Sequence, residues 1–236
     1  MNATPLSILY EDNHLLAVNK PSGLVTQGVS PGEESLGTLV KDYLKRQYNK
    51  PGNVYLGVVS RLDASVTGVA LFARTSKAAA RLSEQFRERT VDKRYWALVE
   101  PGPMAATGQC VDWVWKDEGQ HRMVVVEATH PGAQRAQLSY ETRGESDRGW
   151  PWLEVQLVTG RKHQIRVQLA AAGHPIVGDR KYGSDRFFPV GLALHARSLV
   201  LQHPVQKRPL EIIAPVPSFW PPLVAHRPDS PRGRPR

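Results

Sequence analysis

The chain is organised around residues 60–68, which read Ser60-Arg61-Leu62-Asp63-Ala64-Ser65-Val66-Thr67-Gly68. Short apolar runs at 56–59 and 69–73 flank this stretch, and both have the length and the turn-residue borders of buried strands. Asp63 lies two residues from Arg61, and residues two apart in an extended segment point to the same side. Arg61 is therefore predicted to hold Asp63 in its ionised form, which suits a nucleophile or a general base. The alternative explanation is that Arg61 and Asp63 form an ion pair with a purely structural role at the end of a strand.

The composition excludes several classes of protein. Of the 236 residues, 41% are hydrophobic and 22% are charged, which is enough for one large or two small globular domains. The sequence has no apolar run long enough to span a membrane and no signal-peptide pattern at its start. The single cysteine, Cys110, cannot form an internal disulfide and has the alternation of a core strand residue. These features predict a protein of the reducing cytoplasm.

The net charge of +9 indicates a polyanionic partner, most often a nucleic acid. The excess is clustered, because residues 161–208 carry nine Lys or Arg residues against two acids, Asp179 and Asp185. Such clustering favours a binding face over a generally basic surface. The tail at 226–236 is rich in proline and arginine, so it is predicted to be disordered and to add nonspecific affinity for RNA.

Hydrophobic periodicity predicts the order of the elements. Two short strands are expected within 7–19, a helix capped by Ser35, and a second helix from Thr75 or Ser76 to about Arg89. Further strands are predicted at 93–100, 109–116, 121–127, 134–142, 150–158, 192–203 and 209–213. Strands joined by turns, with few helices, indicate an α+β fold with a mixed, mainly antiparallel sheet flanked by helices and loops. No dinucleotide fingerprint, Walker loop, metal-ligand spacing or nucleophile elbow is present.

Residues 159–175 form the second informative stretch and predict a helix from about 161 to 172, ended by Gly173. Four basic residues crowd its first turns: Arg161, Lys162, His163 and Arg166. A helix dipole disfavours positive charge at this end, so an anion is expected nearby. That anion is either RNA phosphate or the carboxylate of Asp63.

Two other positions allow alternative interpretations. Lys20 lies in a turn at 20–23 and either contacts phosphate or is an ordinary solvated turn residue. Tyr95 and Trp96 are neighbours in a strand and face opposite sides, so one can pack in the core while the other faces a site.

Together these stretches resemble the RluA-type branch of the pseudouridine synthases, over residues 7 to 215. The segments that carry the resemblance are Ala17-Val18-Asn19-Lys20-Pro21-Ser22-Gly23, Arg61-Leu62-Asp63 with Thr67-Gly68, Lys93-Arg94-Tyr95-Trp96-Ala97, and Thr159 to Arg166 running into Gly173 to Asp179. The second and fourth segments, in order and in register, are the specific ones. The resemblance implies isomerisation of uridine to pseudouridine within RNA, without a cofactor or a metal ion.

The resemblance also implies roles for individual residues. Asp63 matches the catalytic aspartate, Tyr95 matches the tyrosine that stacks on the target base and takes part in the final proton removal, and Arg166 matches the basic partner of the aspartate. Arg61 matches the arginine that helps to hold the flipped nucleotide, and Leu194 matches an aliphatic residue of the base pocket. Because the base must leave its stack to reach Asp63, base flipping is implied. The expected substrate-binding residues are completed by Thr67, Arg161, Lys162 and His163.

The sequence departs from the family pattern in two places. Ser60 replaces the usual His before Arg-Leu-Asp, and Val66-Thr67-Gly68 replaces the usual Thr-Ser-Gly. Neither change removes the nucleophile, but the first is expected to affect rate or target choice. The catalytic domain is expected to cover residues 1–225, without the small N-terminal RNA-binding domain of many relatives.

Three functions are compared on this basis. The first is an RNA pseudouridine synthase that acts on rRNA or tRNA as a monomer, without a membrane or an obligatory protein partner. The second is a noncatalytic RNA-binding relative, which the joint presence of Asp63, Tyr95 and Arg166 disfavours. The third is a glycoside hydrolase, which needs two facing carboxylates, whereas the motif segments offer only Asp63.

Overall fold

A sheet of twelve strands runs through this computed structural model, which describes residues 6–30 and 33–225. The strands are β1 (Ile8–Glu11), β2 (Leu15–Lys20), β3 (Gly57–Val58), β4 (Thr67–Ala73), β5 (Asp92–Leu98), β6 (Thr107–Asp117), β7 (Arg122–Val126), β8 (Gln134–Ser146), β9 (Pro151–Leu157), β10 (Leu194–Gln202), β11 (Pro209–Ile213) and β12 (Leu223–Ala225). The helices are α1 (Leu36–Gln47), α2 (Ser76–Glu88) and α3 (Gln164–Ala171), with a 3₁₀ turn at Arg180–Tyr182. The predicted disordered tail, 226–236, lies outside the described residues.

The strands follow the order β1-β2-β4-β10-β5-β9-β8-β6-β7, while β3, β11 and β12 pair with β4, β10 and β8. Every pairing is antiparallel except that of β4 with β10, which is parallel. The prediction of an α+β fold with a mixed, mainly antiparallel sheet is therefore confirmed.

Helices α1 and α2 cover opposite faces of the β1–β2–β4 part of the sheet. Ser35 caps α1, as predicted, and the apolar face of that helix packs against Leu16 and Val18. The apolar face of α2 packs against Leu15 and Ala17. Because successive strand residues point to opposite faces, these two sets of contacts lie on the two sides of the sheet.

Strand β4 is buried along its whole length and joins the two halves of the sheet. Its parallel pairing sets Thr67 against His195 and Gly68 against Ala196. Gly68 has a φ of 112°, and a β-carbon there would collide with the backbone of Ala196, so the close approach requires glycine. This approach fixes the loop that precedes β4, which carries Asp63, beside the start of β10.

The structure differs from the predicted elements in several places. The apolar run at 56–59 contributes only Gly57 and Val58 to the sheet, and both are half-buried. Helix α3 begins at Gln164 and not at 161, because His163 adopts a left-handed conformation with φ 53°. The 3₁₀ turn and β12 were not predicted. Within the described residues, no helix combines the length and the apolar character needed to cross a bilayer.

Candidate active site

A buried lysine, Lys20, forms hydrogen bonds that hold the loop carrying Asp63 in place. Lys20 is fully buried, and its Nζ donates to the carbonyl oxygens of Pro21, Leu24 and Ala64 at 2.7–2.8 Å. Burial lowers the pKa of Lys20 to about 8, while the negative charge of Asp63 acts in the opposite direction. Both interpretations of Lys20 from the sequence were wrong, because this lysine neither faces solvent nor is free to contact phosphate.

A buried arginine on α3 connects Asp63 to a second carboxylate. Arg166 Nη1 donates to Asp63 Oδ2 at 3.0 Å, while Nε and Nη2 donate to the two oxygens of Asp179 at 2.6 and 2.9 Å. Burial would lower the pKa of Arg166, but hydrogen bonds and charge from Asp179, together with the charge of Asp63, outweigh burial and raise it. The guanidinium is therefore a permanent cation held in one orientation beside Asp63.

The tautomer of His163 follows from its neighbours. The hydroxyl of Tyr182 accepts the backbone N–H of Met123 at 3.0 Å and lies 2.8 Å from His163 Nδ1. Among the described residues His163 is the hydroxyl's remaining partner, so the hydroxyl donates to Nδ1 and the ring proton resides on Nε2. That Nε2–H is 3.7 Å from Asp63 Oδ2.

His163 is uncharged at neutral pH. Burial lowers its pKa, the negative charge of Asp63 opposes this, and the positive charges of Arg166, Lys162 and Lys181 lower it further. The imidazole therefore serves as a neutral hydrogen-bond donor pointed toward the carboxylate.

Tyr95 faces the site and Trp96 does not, as the alternation along β5 requires. Tyr95 lines the cavity next to Asp63, whereas Trp96 packs edge-on against Trp152 with ring centroids 4.6 Å apart. Burial and the negative charge of Asp63 raise the pKa of Tyr95, so its phenol is protonated at neutral pH.

These side chains border a cleft of about 1030 Å³ that opens into a smaller cavity of about 70 Å³. The smaller cavity is lined by Asp63, Tyr95, His163, Arg166 and Leu194. Among the described residues that line the cleft, Asp63 is the only carboxylate. The Lys and Arg side chains around it are Arg61, Arg87, Arg89, Lys93, Arg161 and Lys162. The site therefore combines one partly buried carboxylate, that of Asp63, with a wall of Lys and Arg side chains.

The structure brings together eight of the nine predicted site residues, and Thr67 is the exception. Thr67 is 2% exposed and does not line the cleft. His195 Nε2–H donates to the carbonyl of Ala214 at 3.1 Å, so its Nδ1 accepts the Thr67 hydroxyl at 2.8 Å. Burial lowers the pKa of His195 to about 4, which keeps this ring neutral. Thr67 therefore joins β4 to β10 and, in this structure, does not line the cleft.

Arg61 has a different environment from the one predicted. It lines the cleft and is exposed, and among the described residues it forms no ion pair with Asp63. Residues 61–66 form a loop with a turn at 64–65, so the same-side rule for strands does not apply there. Arg166 supplies the ion pair that was expected from Arg61.

Sequence reasoning missed the residues that support the site. Asp179 holds Arg166 and Tyr182 holds His163 from the far side. Asp179 ends the fourth segment that carries the family resemblance, but nothing in that segment indicated its contact with Arg166. No pattern indicated Tyr182. In residues 6–30 and 33–225, no group of three or more His, Cys, Asp or Glu side chains could hold a metal ion.

The sequence model of the RNA pseudouridylate synthase family matches residues 14–171. The chain belongs to this family. It is 40% identical over 228 residues to ribosomal large subunit pseudouridine synthase D of Xylella fastidiosa, covering 90% of this chain and 66% of that relative. It is 35% identical over 218 residues to the dual-specificity RNA pseudouridine synthase RluA of Escherichia coli, covering 89% of this chain and 93% of the relative.

Solved structures agree with the family assignment. The human RNA pseudouridylate synthase domain containing 4 superposes with a TM-score of 0.74 at 28% identity, over 90% of this chain and 89% of the other. The human domain-containing protein 1 has a TM-score of 0.72 at 24% identity, which shows the shared fold. The predicted RluA-type family and the enzyme class, an RNA pseudouridine synthase of the isomerase class, are confirmed. The chain spans about two thirds of the length of the synthase D relative and nearly all of RluA.

Proposed function

We propose that this pseudouridine synthase isomerises specific uridines of structured RNA, in rRNA or tRNA, with Asp63 as its nucleophile. The observation that carries the proposal is the position of Asp63. It is the lone carboxylate among the described residues of a cationic cleft, and it lies 3.0 Å from a buried guanidinium and beside Tyr95. A polyanion fits the walls of this cleft, and an uncharged base fits the small cavity beyond them.

The reaction then uses each group according to its state. The target nucleotide is flipped into the cavity, Asp63 attacks it, and the glycosidic bond breaks. The uracil turns while it is held and rejoins the sugar through its carbon five, and the bond to Asp63 breaks, so the carboxylate is regenerated. Because the proton lost from carbon five is balanced by one gained at N1, where the glycosidic bond was broken, the product is an isomer and no co-reactant is consumed.

Arg166 has two functions in this scheme. Its Nη1 donates a charge-assisted hydrogen bond to the Asp63 carboxylate, and its bonds to Asp179 hold the guanidinium in place beside that carboxylate. His163 presents its Nε2–H on the same side and can donate to an oxygen of the nucleotide.

Tyr95 enters the reaction as a neutral phenol, since burial and the charge of Asp63 raise its pKa. A neutral ring stacks well on an uncharged base. The part in proton removal that the family resemblance gives to Tyr95 requires the phenol to pass its own proton on as it accepts another.

The remaining expectations are part of the same proposal. Action as a monomer, without an obligatory protein partner, stays a prediction. The single cysteine supports a cytoplasmic location. Ser60 lines the cleft where relatives carry His, so we propose that it influences target choice.

The test uses RNA labelled with tritium at carbon five of uridine. Incubated with rRNA or tRNA transcripts, the protein is expected to release tritium while the RNA chain stays intact. No release from any cellular RNA would support a noncatalytic RNA-binding protein, and free uracil would indicate a hydrolase. Mapping pseudouridines in RNA from cells that lack the protein then identifies the target uridine.

A further inference from the structure

The cleft has a cationic wall that the proposed site residues do not include. Its members are Arg87 in the last turn of α2, Arg89 immediately after that helix, and Lys93 at the start of β5, and all three line the cleft. We call them the α2–β5 wall. The other cations, Arg161 and Lys162, come from the loop that precedes α3.

The α2–β5 wall has almost no internal counterion. Among the described residues, Arg89 and Lys93 form no ion pair, and Arg87 approaches Glu84 only at 3.9 Å with both side chains mostly exposed. An exposed pair of this length contributes little. Three positive charges are thus held at one edge of the cleft and, among the described residues, form no ion pair shorter than the exposed Arg87–Glu84 contact.

The helix dipole explains part of this arrangement. Cations are favourable at the C-terminal end of a helix, which accounts for Arg87 and Arg89. It does not account for Lys93, which is half-buried on a strand. Burial lowers the pKa of Lys93, the charge of Arg89 lowers it further, and Asp92 opposes both. The fold therefore keeps Lys93 beside another cation at an electrostatic cost.

Arg89 also breaks a local backbone rule. It ends α2 in the left-handed conformation, with φ 60° and ψ 30°, where glycine is ordinarily preferred. A β-carbon is unfavourable in this conformation, because it lies close to the carbonyl oxygen that follows. An exposed arginine kept at a glycine position, on the rim of a cleft, is what a ligand-binding role would favour.

We propose that the α2–β5 wall binds backbone phosphates of the RNA strand next to the target uridine. The inference rests on the proposed function. A flipped nucleotide is joined to phosphate at its 5′ and 3′ ends, so a strand that presents its base to Asp63 must continue past the cavity. Lys93 Nζ lies beside Gly160, so the wall and the loop that carries Arg161 and Lys162 form one cationic stretch, along which guanidinium and ammonium groups can contact successive phosphates.

The experiment removes the charge of the wall. The Arg87→Gln/Arg89→Gln/Lys93→Gln variant is compared with wild type in binding a stem-loop RNA substrate over a range of salt concentrations. Each lost phosphate contact flattens the slope of log K against log salt by about 0.7–0.9, so a total change of about 2 is expected, with affinity at low salt reduced at least about tenfold.

The matched control removes the same charge from another face. Lys41→Gln/Lys45→Gln/Arg46→Gln alters the exposed side of α1, which covers the opposite face of the sheet from α2 and does not line the cleft. This variant is expected to keep the wild-type salt slope. If the wall variant and the control change the slope equally, the inference is overturned.

A double variant replaces the triple variant if Lys93→Gln prevents folding. The exposed pair Arg87→Gln/Arg89→Gln then gives the same test, with an expected slope change of about 1.5. If wild-type protein releases no tritium, the proposed function fails. If wild type releases tritium but the wall variant binds like the α1 control, only this inference fails.

Discussion

Replacing Asp179 by asparagine removes the charge that holds Arg166 in place. Asp179 accepts two of the three hydrogen bonds that Arg166 makes to carboxylates, and the two side chains are only 1% and 9% exposed. Asparagine keeps one acceptor oxygen but turns an N–H₂ group toward the guanidinium, which repels it. Removing one partner of a buried ion pair typically costs about 3–5 kcal/mol. Because Asp63 continues to neutralise Arg166, we expect a loss at the lower end of this range, about 3 kcal/mol of unfolding free energy.

The same change should impair catalysis in the molecules that remain folded. Once its anchor is lost, the guanidinium can shift with Asp63, and a misplacement of about 1 Å can reduce turnover roughly 100-fold. The assay combines urea unfolding with tritium release at saturating RNA, measured well below the unfolding transition. The control is Asp185→Asn, an exposed acid on the same segment, which should alter neither quantity. A folded Asp179→Asn protein with wild-type turnover would refute the view that Asp179 positions the nucleophile through Arg166.

Other contacts allow equally direct tests. Lys20→Met removes the Nζ donor from three carbonyl groups and leaves two of them, those of Pro21 and Leu24, without a donor among the described residues, since Ala64 still accepts the N–H of Gly23. Urea unfolding should therefore show a loss of about 2–4 kcal/mol, and a loss below about 1 kcal/mol would contradict the anchoring role. Tyr182→Phe removes the hydroxyl that places the ring proton of His163 on Nε2, so ¹⁵N NMR should show a mixture of tautomers, and an unchanged spectrum would disprove the assignment. The pKa of His195 is about 4 when folded and about 6.5 when unfolded, so the unfolded state binds more protons between these values and stability falls as pH drops through that window, by about 3 kcal/mol. The His195→Asn variant should lose this pH-dependent part of the unfolding free energy. If unfolding free energy against pH gave parallel curves for the variant and the wild type, the role of His195 would be contradicted.

Local sequence patterns were sufficient to predict much of the fold. The apolar run of β4, the capped helices α1 and α2, and the successive strands β6 to β9 all occur within a few residues of their predicted positions, because each depends on periodicity or turn residues nearby in the chain. The start of α3 was placed too early, since nothing local shows that His163 adopts a left-handed conformation. The conflict expected between cations and the helix dipole is reduced accordingly, because Arg161 and Lys162 lie in the preceding loop.

The site was predicted where it depends on residue type and was mispredicted where it depends on distant packing. Asp63 was one of the two anions expected beside the basic α3 segment, the other being RNA phosphate, and the structure pairs Asp63 with Arg166. Spacing alone gave Arg61 that role wrongly, since it assumed an extended chain where there is a loop. The burial of Lys20 could not be predicted from the sequence, because its three acceptors are backbone carbonyl groups that only the fold brings together around Nζ.

The central claim is that Asp63 is the nucleophile, and Asp63→Asn tests it most directly. The variant keeps the size of the side chain and loses the negative charge. Tritium release from RNA labelled at carbon five of uridine should fall to background, while binding of the same RNA stays within about threefold of wild type, since a phosphate-dominated interface owes little to one carboxylate. Release by Asp63→Asn at a rate close to that of wild type would contradict the account.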